Sequence, residues 1–301
     1  MKISCCWLYA IEKYGYPPSI KDTYSALKDV AEMGFKYVEI EAFNIKENNV
    51  IELFEERKKL KEVMENLGLI FINLPIMLPG LFSTVEKIRE ENLELFDIGI
   101  ELAKYLGAEI MQLDSFAPSL KFIGENPYLD EITYGKSYKI DIDKNYSWER
   151  EWGILVKMFK ICCQRLENTN IKLVIEPRVG ERVSNSDSVL RLIDNVKHPN
   201  LFAIIETAHM HAQKEIIPLS IEKLGKKIGG IHVADNDSLT NAHNKIGNGT
   251  IGWEATLKAL KKHNFTGFFA IDIKPVIIEN IKQEYIESRL FLKKLGEEIG
   301  L

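Results

Sequence analysis

Four apolar, strand-like segments in the second half of the chain each carry an ionisable residue at or near their carboxyl end. Such a segment suits a buried strand, where an isolated carboxylate is costly unless it is hydrated, paired or bound to a metal. Taken singly, each residue is compatible with a salt bridge or a helix cap, but the recurrence over four successive segments favours one shared site. The segments and their residues are 171–177 with Glu176, 201–207 with Glu206, 229–235 with His232 and Asp235, and 267–273 with Asp272.

The residue types in this set predict a divalent metal site. Two carboxylates that share one site repel each other and raise one pKa, and a cation between them removes that conflict. Three carboxylates and one imidazole form a fairly hard donor set, suited to Mn²⁺, Mg²⁺ or Co²⁺, with Zn²⁺ as a further candidate. The predicted ligands are Glu176, Glu206, His232 and Asp272.

The whole chain alternates short apolar segments with longer amphipathic ones. Eight strand-like segments are each followed by a helical pattern, and strands separated by helices run parallel with right-handed crossovers. We therefore predict an α/β fold, a single (β/α)8 TIM barrel over residues 1–301, whose sites lie where strands end and loops begin. A doubly wound sheet is disfavoured because no glycine-rich turn follows the first strand. The first four strand segments are 3–9, 37–42, 69–76 and 109–115.

Residues 116–147, after the fourth predicted strand, interrupt this alternation. The segment contains six aromatic residues and is too long for an ordinary connection. Two interpretations stay open. The insertion is either a lid whose rings stack on a sugar and exclude water, or a surface that packs on a neighbouring subunit of a homo-oligomer.

Composition restricts the partners of the chain. It has 301 residues and a formal net charge of −5, which does not favour nucleic acid. No run of about 18 apolar residues is present, so no membrane span is expected, and the N-terminus lacks a signal-peptide pattern, which predicts a cytoplasmic location. The four cysteines form two adjacent pairs, Cys5–Cys6 and Cys162–Cys163, and are expected to be buried reduced thiols.

Five motifs in the second half resemble those of the xylose-isomerase-like barrel superfamily. This group includes sugar and sugar-phosphate isomerases and epimerases, inosose dehydratases, hydroxypyruvate isomerases and endonuclease IV. The resemblance is specific over 171–275 and extends weakly to the rest of the chain through the strand order and YVEIEAF at 37–43. The motifs are VIEPR at 174–178, IIETAH at 204–209, IHVAD at 231–235, HNKIGNGTIGW at 243–253 and AIDIKP at 270–275.

The resemblance to the ketose 3-epimerases of this superfamily implies a role for each strand-end residue. In those enzymes the metal is held by acids on strands five, six and eight and by a His on strand seven, which match Glu176, Glu206, Asp272 and His232. The strand-five and strand-eight acids, here Glu176 and Asp272, also form the proton-transfer pair. The His three residues after the strand-six acid, here His209, contacts substrate.

The chain departs from the family pattern in two places. The family usually has Asp on strand six and Glu on strand eight, whereas here Glu206 and Asp272 exchange these lengths. The family's epimerases also have an Arg shortly after the strand-seven His, and the stretch DNDSLTNAH at 235–243 contains none. Substrate oxygens are therefore expected to meet other side chains. The candidates are Arg178, Lys274, Asn73 and Asp114.

We therefore predict a divalent-metal-dependent isomerase or epimerase of a sugar, sugar phosphate or polyol, working by proton abstraction and a metal-stabilised enediolate. No phosphate clamp is recognised, which favours a free sugar or polyol. An inosose-dehydratase-like lyase and a non-catalytic sugar binder stay open as alternatives. An endonuclease IV-like hydrolase, in which His243 would bind metal, is disfavoured because segments 69–76 and 109–115 contain no His.

Overall fold

Eight parallel strands close into a barrel in the computed structural model, which describes residues 1–44, 50–124 and 139–301. The barrel strands are β1 (Lys2–Cys5), β2 (Tyr37–Glu39), β4 (Ile70–Met77), β5 (Ile110–Asp114), β8 (Lys172–Glu176), β9 (Leu201–Glu206), β10 (Ile228–Val233) and β11 (Phe268–Ile271). β1 pairs with both β2 and β11, and β2 pairs with β4, so the ring has no free edge. The predicted (β/α)8 barrel is confirmed.

Helices connect successive barrel strands and cover the outside of the barrel. None of the helices in the described ranges combines the length and the apolar character that a membrane crossing requires. The α-helices are α1 (Leu8–Tyr14), α2 (Ile20–Glu32), α3 (Val50–Glu55), α4 (Arg57–Asn66), α5 (Glu86–Leu106), α6 (Trp148–Arg165), α7 (Ser186–Val196), α8 (Thr207–Ala212), α9 (Ile217–Leu224), α10 (Trp253–Lys262) and α11 (Ile281–Ile299). Short 3₁₀ turns cover Pro79–Phe82, Gly225–Lys227 and Ile278–Asn280.

Two apolar clusters lie on the two faces of the barrel wall. The larger one fills the space between strands and helices. The smaller one lies inside the barrel and consists of Cys6, Ile72, Ile110, Val174, Ile204, Phe268 and Ala270. Residues two apart on a strand share a face, so Val174, Ile204 and Ala270 lie directly below Glu176, Glu206 and Asp272. The interior is therefore apolar in its lower part, called the floor here, and is lined by ionisable side chains at the carboxyl ends of the strands, called the mouth.

The predicted insertion at 116–147 contains a small antiparallel hairpin. Its strands are β6 (Lys121–Ile123) and β7 (Lys139–Asp141), and the remaining short strand, β3 (Ala42–Phe43), extends the pairing of β4. At the start of the insertion the ring of Phe116 lies 6.1 Å from the ring of Phe82. Residues 125–138, with three of the six aromatic residues, lie outside the described residues, so both interpretations of the insertion stay predictions.

Candidate active site

His232 lies between two carboxylates inside the mouth of the barrel. Its Nδ1 is 3.1 Å from Oε1 of Glu176, and its Nε2 is 3.3 Å from Oε1 of Glu39. All three side chains are buried. Burial would lower the pKa of the imidazole, but the charges of Glu39 and Glu176 raise it well above its usual value. The ring is therefore held by one carboxylate on each side.

A chain of amides fixes the two carboxylates that flank His232. The Asn73 amide donates to Oε1 of Glu39 and to Oε1 of Gln112, at 2.9 Å in each case. Gln112 in turn donates to Oε2 of Glu176 at 2.5 Å. Gln112 thus positions the predicted base Glu176, and Glu39 positions the predicted ligand His232. The sequence pointed to Gln112 as a contact of substrate hydroxyls, and the parity of Glu39 in YVEIEAF indicated an inward side chain, either toward the site or in a hydrogen-bonded network of the barrel interior.

Glu206, at the end of β9, is turned back over the first turn of α8. Its carboxylate accepts the backbone N–H of Ala208 at 3.2 Å and that of His209. Burial, together with the negative charges of Asp272 and Glu176, raises its pKa to about 7, although the charge of His243 opposes that change. Glu206 is therefore within electrostatic reach of the other predicted acids while serving as the N-cap of α8.

Asp272, which follows β11, is paired with His243 from the loop after β10. Nδ1 of His243 donates to the main-chain oxygen of Asp272 at 2.9 Å and lies 3.2 Å from its carboxylate Oδ2. Burial disfavours the charged forms of both side chains. The negative charges of Glu206 and Asp272 nevertheless raise the pKa of His243 to about 9. The His243 contact and the charge of His232 hold the pKa of Asp272 well below its usual range.

The predicted substrate ligand His209 lies against His243 on the same side of the mouth. The ring centroids are 5.1 Å apart in an edge-to-face arrangement. Burial and the charge of His243 lower the pKa of His209 well below its usual value. Its Nδ1 is buried without a hydrogen-bond partner among the described residues. A neutral imidazole with one free nitrogen suits a polar ligand in the mouth.

A second polar group surrounds Arg178 at the rim. Nη1 of Arg178 lies 2.8 Å from Oδ2 of Asp114, so these two predicted substrate ligands form an ion pair. Glu41, from the loop after β2, is close enough that burial and the charge of Asp114 raise its pKa to about 8. Lys274 extends further outward, with Nζ 3.6 Å from Glu12 and the side chain 64% exposed.

The donor atoms fall into two groups, each able to hold a cation. Within each group the ligand atoms lie within 4.8 Å of one another. The first group is Cys6, His232 and Asp272, and the second is Glu206, His209 and His243. Glu176 is in neither group and contacts the first one through Nδ1 of His232 at 3.1 Å. The four predicted ligands are thus divided between two groups and do not form one set in this structure. Buried carboxylates and imidazoles of this kind suit Mn²⁺, Co²⁺ or Zn²⁺.

The chain belongs to the family described as the xylose isomerase-like TIM barrel, which matches residues 27–295. The expected resemblance to this superfamily is confirmed. The match covers seven of the eight barrel strands, all but β1, and with them every strand that delivers a predicted site residue.

Individual relatives share less than a quarter of their aligned residues with this chain. A fructoselysine 3-epimerase from Escherichia coli O157:H7 is 24% identical over 125 residues, which span 40% of this chain and 46% of that relative. The D-psicose 3-epimerase of Clostridium cellulolyticum H10, solved with D-tagatose, superimposes with a TM-score of 0.72 at 16% identity, covering 98% and 99% of the two chains. The IOLI protein, solved with a bound zinc atom, gives 0.70 at 18% identity, covering 99% and 98%. At these identities the structural likeness shows the fold.

Proposed function

We propose that this protein is a divalent-metal-dependent sugar epimerase or isomerase that moves a proton on the carbon next to a carbonyl. One observation carries the proposal: four consecutive strands, β8 to β11, carry Glu176, Glu206, His232 and Asp272 at or next to their carboxyl ends, and all four side chains are buried. Membership of the family and the matched 3-epimerase segment support this reaction class.

The donors fit a cation because three buried carboxylates are close enough to affect one another's ionisation. Glu176, Glu206, His232 and Asp272 would hold it, and Glu39 would fix the ring of His232 through Nε2, as carboxylates do for metal-bound histidines. Such an ion supplies Lewis acidity, which makes the C–H next to a ketose carbonyl more acidic and offsets the charge that develops on oxygen.

Glu176 is the first candidate base. Gln112 anchors its Oε2, so the carboxylate is held in one orientation toward the mouth. Glu176 takes the proton of the C–H bond, and the electron pair passes to the carbonyl, which gives an enediolate. Return of a proton to the same carbon from the other face gives the epimer, and return to the neighbouring carbon gives the isomer.

Asp272 is the second member of the pair. It follows β11, three strands around the ring from β8, so a substrate between the two acids presents a different face to each. Reprotonation from the Asp272 side requires a proton there. His243, with Nδ1 3.2 Å from the Asp272 carboxylate, is placed to deliver one through Asp272.

The remaining predicted residues suit substrate binding. His209 offers a free Nδ1, while Arg178 and Asp114 offer a charged pair for hydroxyls. Asn73 donates both of its amide hydrogens within the protein and offers its unpartnered Oδ1 from deeper in the barrel. Lys274 would contact a substrate oxygen from the rim. We favour a free ketose or a sugar with an uncharged substituent.

The test is a panel of ketoses incubated in deuterated water with Mn²⁺, Co²⁺ or Zn²⁺ and followed by NMR. Wild-type protein should exchange the carbon-bound proton of at least one sugar, and Glu176→Gln should lose about 10²-fold or more of that rate. Glu109→Gln is the matched control, because Glu109 pairs with Lys2 at the opposite end of the barrel. Full exchange by Glu176→Gln, or none by wild type, would refute the proposal, and a dehydrated product would assign the lyase class instead.

A further inference from the structure

Cys6 is the one sulfur donor among the side chains that converge on the mouth in the described parts of the chain. Its Sγ, a ring nitrogen of His232 and a carboxylate oxygen of Asp272 all lie within 4.8 Å of one another. Each of the three residues is buried, with 9%, 2% and 7% of its surface exposed. A thiol beside two predicted metal ligands is absent from the donor set that the sequence indicated.

The neighbouring Cys5 shows that this placement is specific. Cys5 ends β1 and belongs to the large cluster between strands and helices, whereas Cys6 belongs to the small cluster inside the barrel. The Cys5 thiol lies 3.6 Å from the main-chain oxygen of Cys6 and does not reach the mouth. Two adjacent thiols thus face opposite sides of the barrel wall.

A second feature beside Cys6 indicates missing coordination. Oε2 of Glu39 is buried without a hydrogen-bond partner among the described residues, while Oε1 of the same carboxylate lies 3.3 Å from His232. Buried carboxylate oxygens are nearly always satisfied. An unpartnered acceptor on the carboxylate that contacts His232 therefore favours a ligand in this part of the mouth.

We propose that Cys6 is a ligand of the metal ion in the mouth and gives the site a soft donor. This inference rests on the proposed metal-dependent function. On coordination the Cys6 sulfur binds as thiolate, and its proton passes to solvent. Thiolate ligands select Zn²⁺ and related metals over Mn²⁺ and Mg²⁺, which prefer oxygen.

Cobalt spectroscopy tests the sulfur ligand directly. Metal-free full-length protein is titrated with Co²⁺ under reducing conditions, and the absorption spectrum is recorded. Visible d–d bands report occupancy, and a near-ultraviolet sulfur-to-cobalt charge-transfer band reports a thiolate ligand. The band should be present in wild type and in the matched control Cys5→Ser, and lost in Cys6→Ser. Competition should also show that Cys6→Ser loses roughly tenfold or more of the preference for Zn²⁺ over Mn²⁺.

The possible failures are distinguishable. Visible bands without the charge-transfer band in wild type would refute the sulfur ligand and leave the metal site intact. Loss of the band in Cys5→Ser but not in Cys6→Ser would refute it as well. The absence of any cobalt binding would refute both the thiolate and the metal-dependent function. The wild-type and Cys5→Ser spectra decide the question even if Cys6→Ser does not fold.

Discussion

The carboxylate of Glu206 caps the helix that carries His209, because it accepts the backbone N–H of that residue and of Ala208. The end of β9 and the start of α8 are thus joined through one side chain. Asp, which is one methylene shorter, is among the preferred N-cap residues, so capping alone does not require Glu here. The extra methylene of Glu206 instead extends its carboxylate in the mouth, where Asp272 is the shorter acid.

This relationship predicts that the two side-chain lengths are coupled through the proposed cation. Glu206→Asp withdraws an oxygen from the mouth, and Asp272→Glu pushes one toward His243, so each change should weaken Co²⁺ binding by about tenfold. The double variant restores the sum of the two lengths and should recover most of that loss. Calorimetric titration of the four proteins with Co²⁺ gives the coupling. Losses that simply add in the double variant would contradict a shared ion.

A second prediction concerns Asp235, which organises the loop that carries His243. Its carboxylate accepts the backbone N–H of Gly247 at 2.9 Å, that of Ile251 at 3.2 Å and the indole N–H of Trp253 at 2.8 Å. Asp235→Ala leaves these donors without their acceptor, so the free energy of unfolding should fall by about 3 kcal/mol. Urea denaturation measures this loss.

The neighbouring Asp237 serves as the control for that variant. It is exposed and accepts the backbone N–H of Leu239 and of Thr240, each at 2.8 Å. Asp237→Ala should therefore lower the free energy of unfolding by less than about 1 kcal/mol. Equal losses in the two variants would mean that the buried position of Asp235 does not matter.

The regular alternation of strand-like and helical segments predicted the barrel, but the residues at which individual strands and helices begin and end depend on tertiary packing. The segment 3–9 was predicted as one strand, whereas β1 ends at Cys5 and α1 begins at Leu8. Strand and buried helix are both apolar there, and periodicity cannot separate them in so short a segment. The start of α2 has a purely local cause, since Ser19 forms a capping box with Asp22 three residues later.

In the candidate site, too, some residues could be predicted from the sequence and others depend on the three-dimensional fold. Their place at the carboxyl ends of apolar segments identified Glu176, Glu206 and Asp272, because the sites of such barrels lie where strands end. Cys6 was not predicted as a site residue, and His243 was considered only for the disfavoured hydrolase, since the positions of both depend on register and loop path. His243 is brought to Asp272 by a loop whose Asp235 and Asn244 exchange backbone hydrogen bonds. The number of residues between His232 and His243 does not reveal how this loop folds.

A third prediction tests the packing of the barrel floor. A Cβ added at Gly230 would lie 2.5 Å from the ring of Phe268 and 2.9 Å from Ile204. Gly230→Ala should therefore lower the free energy of unfolding by about 1–3 kcal/mol, since a packed interior resists added volume. Gly153, exposed in α6 with no atom within 4 Å of such a Cβ, is the matched control. Gly153→Ala should raise stability by about 0.5–1 kcal/mol. A change of unfolding free energy with the same sign in both variants would contradict the tight packing of the barrel floor around Gly230.

A fourth prediction concerns acid stability and rests on Asp29, remote from the mouth. Its carboxylate lies 2.5 Å from Nζ of Lys13 and of Lys282 and accepts the hydroxyl groups of Tyr9 and Tyr14. Burial would raise its pKa, but these partners lower it to about 2. Because the folded-state pKa lies below the unfolded value of about 3.9, the stabilisation is complete above that value and is lost as the pH falls toward 2.

The measurement compares the free energy of unfolding of wild type and Asp29→Asn at pH 5 and pH 3. Asn cannot ionise, so the advantage of wild type should shrink by about 1 kcal/mol between these two values, after allowance for solvent screening. Lys282→Met removes one of the two ammonium partners and should raise the pKa of Asp29, which moves the loss to higher pH. An advantage of wild type that is the same at pH 5 and pH 3 would show that these contacts do not stabilise the ionised form of Asp29.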